Sequence, residues 1–321
     1  MSRSIGDYFV IGLKGLAMGA ADVVPGVSGG TIAFISGIYE ELLSSINNLD
    51  FSKLKELKKN GLKATWKSIN GNFLFALFSG VAISIFSLAK GLEWLLHNKP
   101  ILLWSFFFGL IVASAVYIAK QVKKWGVTVI IACIIGLVVS YLITVSEPLG
   151  NSDNNFYLFF CGAIAIIAMI LPGISGSFIL ILLGAYEVAL GTVNQLREGL
   201  LESDWDKFGN AFMKFIILAL GAVVGLKLFS KALTWMFTKH KDVTLAILTG
   251  FMIGSLNKIW PWKETLSTRV NSKGEIVPLL QKSISPSSFE GEPKILLAIG
   301  LMVVGFLTIF ILEKIANKPA E

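Results

Sequence analysis

Two short segments of the chain share a residue pattern that is suited to binding a phosphate group. Residues 25–30 have the sequence Pro-Gly-Val-Ser-Gly-Gly, and residues 172–177 have the sequence Pro-Gly-Ile-Ser-Gly-Ser. Each segment interrupts an apolar run, because proline removes a backbone donor and glycine adopts unusual dihedral angles. A helix that starts at the serine presents N–H groups without intrahelical partners and a partial positive charge. Such a helix end is suited to an anion, phosphate in particular.

These two motifs supply most of the candidate binding residues. The serine hydroxyls can either cap the helix or contact a ligand. The structural alternative is a tight turn that only lets helices pack closely, as small residues do in membranes. Two copies at matched positions favour function, because unpaired backbone at membrane depth must be buried or line a cavity. The candidates are Pro25, Gly26, Ser28, Gly29, Gly30, Thr31, Pro172, Gly173, Ser175, Gly176 and Ser177.

Three carboxylates are candidates for proton coupling. Asp22 lies three residues before the first proline, and an intramembrane carboxylate is a functional hypothesis by default. Its alternative role is to cap the nearby backbone N–H groups. Glu40 and Glu187 follow the motif serines by 12 residues, which is about 18 Å on a continuous helix. We expect the helix from Ser28 to run to about Leu43 and to place these glutamates near opposite faces, as gating proton donors or as interfacial anchors.

Two lysines complete the candidate set. Lys90 and Lys231 each precede a tryptophan, Trp94 and Trp235, by four residues, so that each pair shares a helix face. They are candidates for attracting an anionic head group. The alternative is that they extend to the interface beside the tryptophans, as lysines near helix ends often do.

The spacing of the motifs indicates an internal duplication. The motifs are 147 residues apart (172 − 25), and Gly37, Tyr39 and Glu40 recur at that offset as Gly184, Tyr186 and Glu187. Farther along, Gly80 and Gly221 match at an offset of 141 (221 − 80), as do Lys90 and Lys231. We predict repeats at 1–150 and 151–321, with breaks at 25–30 and 172–177 and a polar outer loop at 260–293.

Composition places both repeats in a membrane. Hydrophobic residues make up 54% of the 321 residues and charged residues 15%, against about 25% charged in soluble domains. The mean hydropathy is +0.72. This argues against a soluble enzyme and against a disordered chain. The predicted fold is an all-α polytopic membrane protein with two repeats, each a broken-helix hairpin, re-entrant or fully crossing, plus three transmembrane helices. Three and five crossings are both odd, so the repeats have inverted topology, which is typical of secondary transporters.

The distribution of charge predicts the orientation. Clusters of lysine occur in connections that the topology places on one side, which is therefore cytoplasmic together with both termini: Lys53, Lys55, Lys58, Lys59, Lys63, Lys67, Lys120, Lys123, Lys124, Lys239, Lys241, Lys314 and Lys318. Acidic residues concentrate on the other side: Glu147, Asp153, Glu198, Glu202, Asp204 and Asp206. The net charge of +7 accordingly indicates cytoplasmic loops and anionic lipid, not nucleic acid.

No metal or other cofactor is expected. Cys133 and Cys161 lie inside apolar runs without metal-ligand spacing. His97 and His240 occupy short connections without carboxylate or thiolate neighbours at ligand spacing.

The motifs resemble those of a known family. Residues 21–31, Ala-Asp-Val-Val-Pro-Gly-Val-Ser-Gly-Gly-Thr, and residues 171–177, Leu-Pro-Gly-Ile-Ser-Gly-Ser, are similar to the polyprenyl-phosphate transporter family, formerly a bacterial domain of unknown function and called PopT in some bacteria. The resemblance covers nearly the whole chain. It implies a protein of the cytoplasmic membrane that moves undecaprenyl phosphate across the bilayer, so that this lipid carrier is reused in cell-envelope synthesis. It also implies that the chain is not an enzyme.

Two other functions stay open from the residues alone. One is a membrane-embedded polyprenyl-diphosphate phosphatase, since that family is similar in having a PG-x-S motif on inverted repeats. There, however, an arginine stands between serine and glycine, whereas Gly29 and Gly176 follow the serines directly. The only arginines, Arg3, Arg197 and Arg269, lie outside the apolar segments, which disfavours catalysis on phosphate. The other is a transporter of a small inorganic anion. The oligomeric state stays unknown.

Overall fold

The computed structural model describes residues 3–24, 27–50, 52–149, 154–270, 274 and 276–316, and for 52, 54, 89, 93 and 311–316 it describes the backbone alone. Four residues named above therefore lie outside the described residues: Pro25, Gly26, Asp153 and Lys318.

Thirteen α-helices and one β-hairpin account for most of these residues. The first half contains α1 (Ile5–Val23), α2 (Gly29–Ile35), α3 (Tyr39–Asn48), α4 (Ser52–Ser68), α5 (Gly71–Asn98), α6 (Pro100–Ala119) and α7 (Val127–Val145). The second half contains α8 (Asn155–Ile170), α9 (Gly176–Leu182), α10 (Tyr186–Glu202), α11 (Trp205–Lys239), α12 (Lys241–Ser255), β1 (Lys263–Val270), β2 (Ile276–Ser283), a 3₁₀ turn (Pro286–Ser288) and α13 (Ile295–Ala316).

Several helices are suited to crossing a bilayer. Within the described residues α5, α6, α7 and α11 are each long and apolar enough to do so, and α9 with α10 makes a fifth candidate if that bent pair counts as one span. A hydrocarbon core of about 30 Å needs roughly 20 apolar residues in a helix. The chain is therefore a mostly helical, multi-pass membrane protein.

The helix that follows each motif is shorter than expected. The expectation of one helix from Ser28 to about Leu43 is wrong, because α2 has seven residues and ends before Gly37, whose φ is +73°. In the second half α9 also has seven residues and ends before Gly184, with φ +65°. Residues with a side chain rarely adopt this left-handed conformation, so glycine turns the chain here. At this break α10 leaves α9 at 109°.

Each helical hairpin begins and ends at the same end of the molecule. The Arg3 guanidinium, just before α1, pairs with the Glu41 carboxylate in the first turn of α3 at 2.5 Å. The Tyr157 hydroxyl, at the start of α8, donates to the Leu183 carbonyl just after α9 at 2.6 Å. In both halves the chain thus enters the fold, reverses at the motif, and returns.

The two halves interlock. In each half the first helix packs against the long helix after the hairpin, α1 against α5 and α8 against α11, but α6 packs against α13 and α12 packs against α7. A Cβ on Gly109 of α6 would meet the Met302 carbonyl oxygen of α13, and a Cβ on Gly250 of α12 would meet the Cys133 carbonyl oxygen of α7. Gly109 and Gly250, which are also 141 residues apart in sequence (250 − 109), therefore let the backbones of the two halves approach closely.

The connections group at two opposite ends. At the first, which we call the basic end, the backbone N–H groups of Lys123 and Lys124 each donate to the Asp242 carboxylate at 3.1 Å, beside Lys241. At the second, the β end, Leu149 and Glu187 line a cavity of about 200 Å³ together with Arg269 of β1. The lysine-rich connections before α7 and α12 therefore lie together, as the charge pattern predicts.

Two surface elements were not expected. The polar loop at 260–293 contains an antiparallel pair, β1 and β2, in which Lys263 is opposite Ser283 and Val270 is opposite Ile276. The lysine-rich loop after the first hairpin contains α4, which is interrupted at Gly61 with φ +75°. The fold is therefore all-α in its apolar part, with one β-hairpin at the β end.

Candidate functional site

The two motif loops contact each other in the interior of the protein. The Ser28 hydroxyl lies within hydrogen-bond distance of the Met169 and Leu171 carbonyl oxygens, at 3.0 and 3.1 Å. In the opposite direction, the Gly173 N–H donates to the Thr31 hydroxyl at 3.1 Å. Ser28 and Thr31 are both completely buried. The structure therefore brings the two serine motifs, 147 residues apart in sequence, into one buried junction.

In the first loop, protein groups already occupy the helix end. The Gly29 N–H donates to the Asp22 carboxylate at 2.7 Å, and the Gly30 N–H donates to the Ser28 hydroxyl at 3.1 Å. The carboxylate of Asp22 thus takes the position that an anionic ligand would take. Both roles considered for Asp22, proton coupling and capping of the backbone N–H groups, involve this contact.

The second loop has a different set of neighbours. At the offset of 147 residues, Met169 corresponds to Asp22 of the first repeat. A Cβ on Gly176 would meet the side chain of Met169. The hydroxyls of Ser175 and Ser177 lie 3.3 Å apart, and the Phe178 N–H donates to the Ser175 hydroxyl at 3.3 Å. The thioether of Met169 carries no charge, so this helix end has no counterpart of the Asp22 carboxylate. Any anion that binds the junction therefore meets less competition at the second loop.

The matched glutamates lie at the two ends of the molecule and not beside the junction. Glu40 is at the basic end, where Lys241 pairs with it at 3.1 Å. Glu187 is at the β end and pairs with Arg269 of β1. Because the helices break at Gly37 and Gly184, the distance of about 18 Å along one helix does not apply. Each glutamate instead links the end of a helical hairpin to a distant segment.

The matched lysines have unlike surroundings. Lys231 lines a cavity of about 510 Å³ at the basic end, together with Asp50, Lys53 and Lys227. The Lys227 ammonium donates to the carbonyls of residues 46 and 47 at 2.9 and 3.0 Å and so caps the end of α3. Lys90 is exposed and lines none of the described cavities. Only the second-half lysine therefore lies in a described cavity.

Comparison with known proteins identifies the family. Residues 18–277 match the family described as undecaprenyl phosphate translocase-like. The chain belongs to this family. It is 48% identical over 316 residues to a polyprenyl-phosphate transporter of Vibrio cholerae, covering 97% of this chain and 98% of the relative. It is 33% identical over 262 residues to a polyprenyl-phosphate transporter of Staphylococcus aureus, covering 78% of this chain and 85% of the relative. No solved structure matches the chain.

The family match spans both motif loops. It begins before Asp22 and ends in β2, so it also includes the segment between α12 and β1. Within the part of the chain that the structure describes, no three His, Cys, Asp or Glu side chains are grouped so as to hold a metal ion. The polar groups that the structure describes at the junction are hydroxyls, backbone N–H groups, the Met169 and Leu171 carbonyl oxygens and one carboxylate.

Sequence reasoning missed two cations close to the second motif. Lys258 lies between α12 and β1, and Lys263 is the first residue of β1. Lys258 lies over the ring of Phe178, in the first turn of α9, at 4.0 Å. The sequence gives only a weak indication, because these lysines flank Trp260 in a segment that otherwise has the composition of a polar loop. Their position beside the motif depends on how the β end packs.

Proposed function

We propose that this protein translocates undecaprenyl phosphate across the cytoplasmic membrane, so that the lipid carrier is reused in cell-envelope synthesis. The observation that carries the proposal is the buried contact between the two serine motifs, from Ser28 to residues 169–171 and from Gly173 to Thr31. Membership of the family and the 48% identity to a polyprenyl-phosphate transporter support the same substrate.

The proposed orientation places the basic end in the cytoplasm. Lysine clusters mark cytoplasmic connections in membrane proteins, and Lys123, Lys124 and Lys241 lie together at this end. Both helical hairpins are then re-entrant, the first from the cytoplasm and the second from outside, since each begins and ends at one end of the fold. The repeats, 1–150 and 151–321, are accordingly inverted, with the substrate passing between them.

The head group is proposed to bind at the junction. Because α2 and α9 each have only seven residues, recognition depends on individual N–H and hydroxyl donors more than on a helix dipole. Ser175, Gly176 and Ser177 supply such donors on the second loop. On the first loop the phosphate would displace the Asp22 carboxylate from the Gly29 N–H. Phosphate and carboxylate then alternate as the anion at the same donor.

This alternation gives Asp22 a role in proton coupling. A carboxylate that loses its donor inside the fold is left as an unpaired charge, which is costly away from water. Taking up a proton would remove that cost, so arrival of the phosphate and protonation of Asp22 are linked. Glu40 and Glu187 would serve as the proton exchange groups at the two ends, where Lys241 and Arg269 now hold them.

The cavity beside Lys231 is the proposed binding site of the lipid at the cytoplasmic end. Its walls combine apolar side chains of Leu49, Leu57 and Val223 with the ammonium groups of Lys227 and Lys231. A polyprenyl phosphate has the same combination of an apolar tail and an anionic head. The tail would stay in lipid while the head group moves between this cavity and the junction.

We propose no chemical change of the substrate. Gly29 and Gly176 follow the motif serines where the related phosphatases have an arginine, and stabilisation of a transferring phosphoryl group needs a well-placed cation. Arg269 is paired with Glu187 at the β end. The protein therefore holds and releases an intact monophosphate.

Head-group accessibility in proteoliposomes tests the function. Purified full-length protein is reconstituted with undecaprenyl phosphate, and an impermeant phosphate-binding probe reports how much lipid lies in the outer leaflet. We expect protein-dependent exchange of the head group without release of inorganic phosphate. Release of inorganic phosphate from undecaprenyl diphosphate, supplied in parallel vesicles, would point to the phosphatase. Radiolabelled phosphate flux without lipid exchange would point to a transporter of a small anion, and either result would overturn the proposal.

A further inference from the structure

Two lysine side chains at the β end, both half-buried as whole residues, lie against aromatic rings of the protein. The Lys263 amine is buried, has no hydrogen-bond partner in the described part of the chain, and lies 3.8 Å from the centre of the Trp104 ring of α6. The Lys258 amine lies 4.0 Å from the centre of the Phe178 ring of α9. Neither amine forms an ion pair with a described carboxylate.

A buried amine and a half-buried neighbouring amine, neither with a described counter-ion, are costly to keep charged. An aromatic face attracts an ammonium group but carries no net charge, so it compensates only part of the lost hydration. The repulsion between the two amines adds to this cost, since the charge of Lys258 acts on Lys263. An anion bound between them would remove both penalties. Long aliphatic side chains would fill the same space without the cost of desolvating a charge. The presence of amines at these positions therefore indicates a ligand.

The pair lies beside the second serine motif. Phe178, whose ring contacts the Lys258 amine, directly follows Ser177. Its backbone N–H donates to the Ser175 hydroxyl. The segment that contains Lys258 begins after Ser255, and a Cβ on Gly173 of the motif would lie 2.8 Å from the Ser255 hydroxyl. The Lys258 amine and the motif hydroxyls thus lie on the same side of the junction, toward the β end.

We propose that Lys258 and Lys263 form a phosphate-binding site that receives the monophosphate head group at the β end and passes it to Ser175 and Ser177. The shared chemistry is a phosphate dianion, whose several oxygens match two amines and two hydroxyls. The inference deepens the proposed function and rests on it for the identity of the lipid and for assigning the β end to the outer leaflet. It assigns the first contact of the transport path.

The protonation of the pair supports this assignment. Burial lowers the pKa of Lys258 to about 8. Burial and the neighbouring charge of Lys258 lower the pKa of Lys263 well below its usual range. The neighbouring elements α6, α9 and β2 present Trp104, Phe178 and Ser283, which do not titrate near this pH. Phosphate binding favours the charged amines, so affinity is high below about pH 8 and falls as the pH rises through that value.

Lysine-to-methionine variants test the site in the full-length protein. Lys258→Met and Lys263→Met keep the length of the side chain and remove the charge, and Lys282→Met changes an exposed lysine of β2 as the matched control. The probe is a fluorescent C15 prenyl monophosphate, titrated in detergent. We expect the Lys258 and Lys263 variants each to lose roughly tenfold to a hundredfold in affinity, with thermal stability equal to or above that of the unsubstituted protein, because an amine without a described counter-ion is gone. The control should bind normally.

The pH profile separates charge from packing. Lys258→Arg stays charged above pH 8, so its affinity should persist where that of the unsubstituted protein declines. Normal affinity in both methionine variants, or an unchanged pH profile in Lys258→Arg, would overturn the site even if the protein translocates lipid. Inorganic phosphate in the same titration identifies the source of the anion. If it binds as tightly as the prenyl phosphate and the unsubstituted protein moves no lipid, the amines bind phosphate but the proposed function fails.

Discussion

Replacing Asp22 tests whether the protein's own carboxylate holds the place of the substrate phosphate. In the structure the Gly29 N–H donates to this carboxylate at 2.7 Å. A hydrogen bond to a charged acceptor contributes about 1.5–3 kcal/mol and a neutral one about 0.5–1.5 kcal/mol. Asp22→Asn keeps an acceptor but weakens it, so the competitor of the phosphate loses about 1 kcal/mol. We therefore expect Asp22→Asn to bind the C15 prenyl monophosphate roughly fivefold more tightly.

A second substitution extends the series. Asp22→Ala removes the acceptor and leaves the buried Gly29 N–H without Asp22 in the substrate-free state, at a cost of about 1–3 kcal/mol. Phosphate binding recovers this cost, so affinity should increase in the order aspartate, asparagine, alanine, while thermal stability without ligand decreases in the same order. Translocation should become slower in both variants, because release of the phosphate depends on the return of the carboxylate.

Asp7 provides the control for this series. It is on the same helix but at the basic end, where it accepts from the Ser4 N–H at 2.7 Å. Asp7→Asn makes the same change of charge far from the motifs and should bind the lipid normally. Fluorescence titration gives the affinities, and the proteoliposome assay gives the rates. Affinity in Asp22→Asn and Asp22→Ala that is unchanged or weaker would refute the competition and leave Asp22 as a structural cap.

Further predictions concern the lysines and the glycines. Lys231→Met should slow head-group exchange several-fold, because it removes a cation from the cavity of about 510 Å³. Lys90→Met is the control and should exchange head groups normally. Equal exchange rates in the two variants would refute lipid binding in this cavity. Gly109→Ala should lower thermal stability by about 1–3 kcal/mol, since its Cβ meets the Met302 carbonyl oxygen of α13, while Gly300→Ala, with open space around it, should be neutral or stabilising. Gly37→Ala should cost about 1–2 kcal/mol through its φ of +73° alone, and Gly37→Asn less; equal stability of both would contradict a strained turn.

Much of the architecture follows from local features of the chain. The apolar runs at 73–96, 101–119, 126–146 and 211–237 of the sequence predict α5, α6, α7 and α11 to within a few residues at most ends, because a hydrophobic segment of bilayer length is a strong signal. The breaks at glycine after α2 and α9 were missed. An apolar run with one internal glycine is compatible with a continuous helix, and only the surrounding packing selects a positive φ at Gly37 and Gly184.

The candidate site, like the fold, was predicted from the sequence only in part. The residues of the two motifs were predicted, because proline, glycine and serine at fixed spacing have a local physical meaning. Their partners were not, since Ser28 reaches carbonyls 141 and 143 residues away and Lys263 reaches Trp104 across the fold. Composition was therefore sufficient for the membrane class, while motif identity, spacing and charge pattern led to the predictions of a duplication and of an anion site. Only the tertiary structure decided that Asp22 occupies one helix end, that Lys258 lies against the other and that the Lys263 amine is buried nearby, because long-range packing determines which polar groups lose water and which groups compensate them.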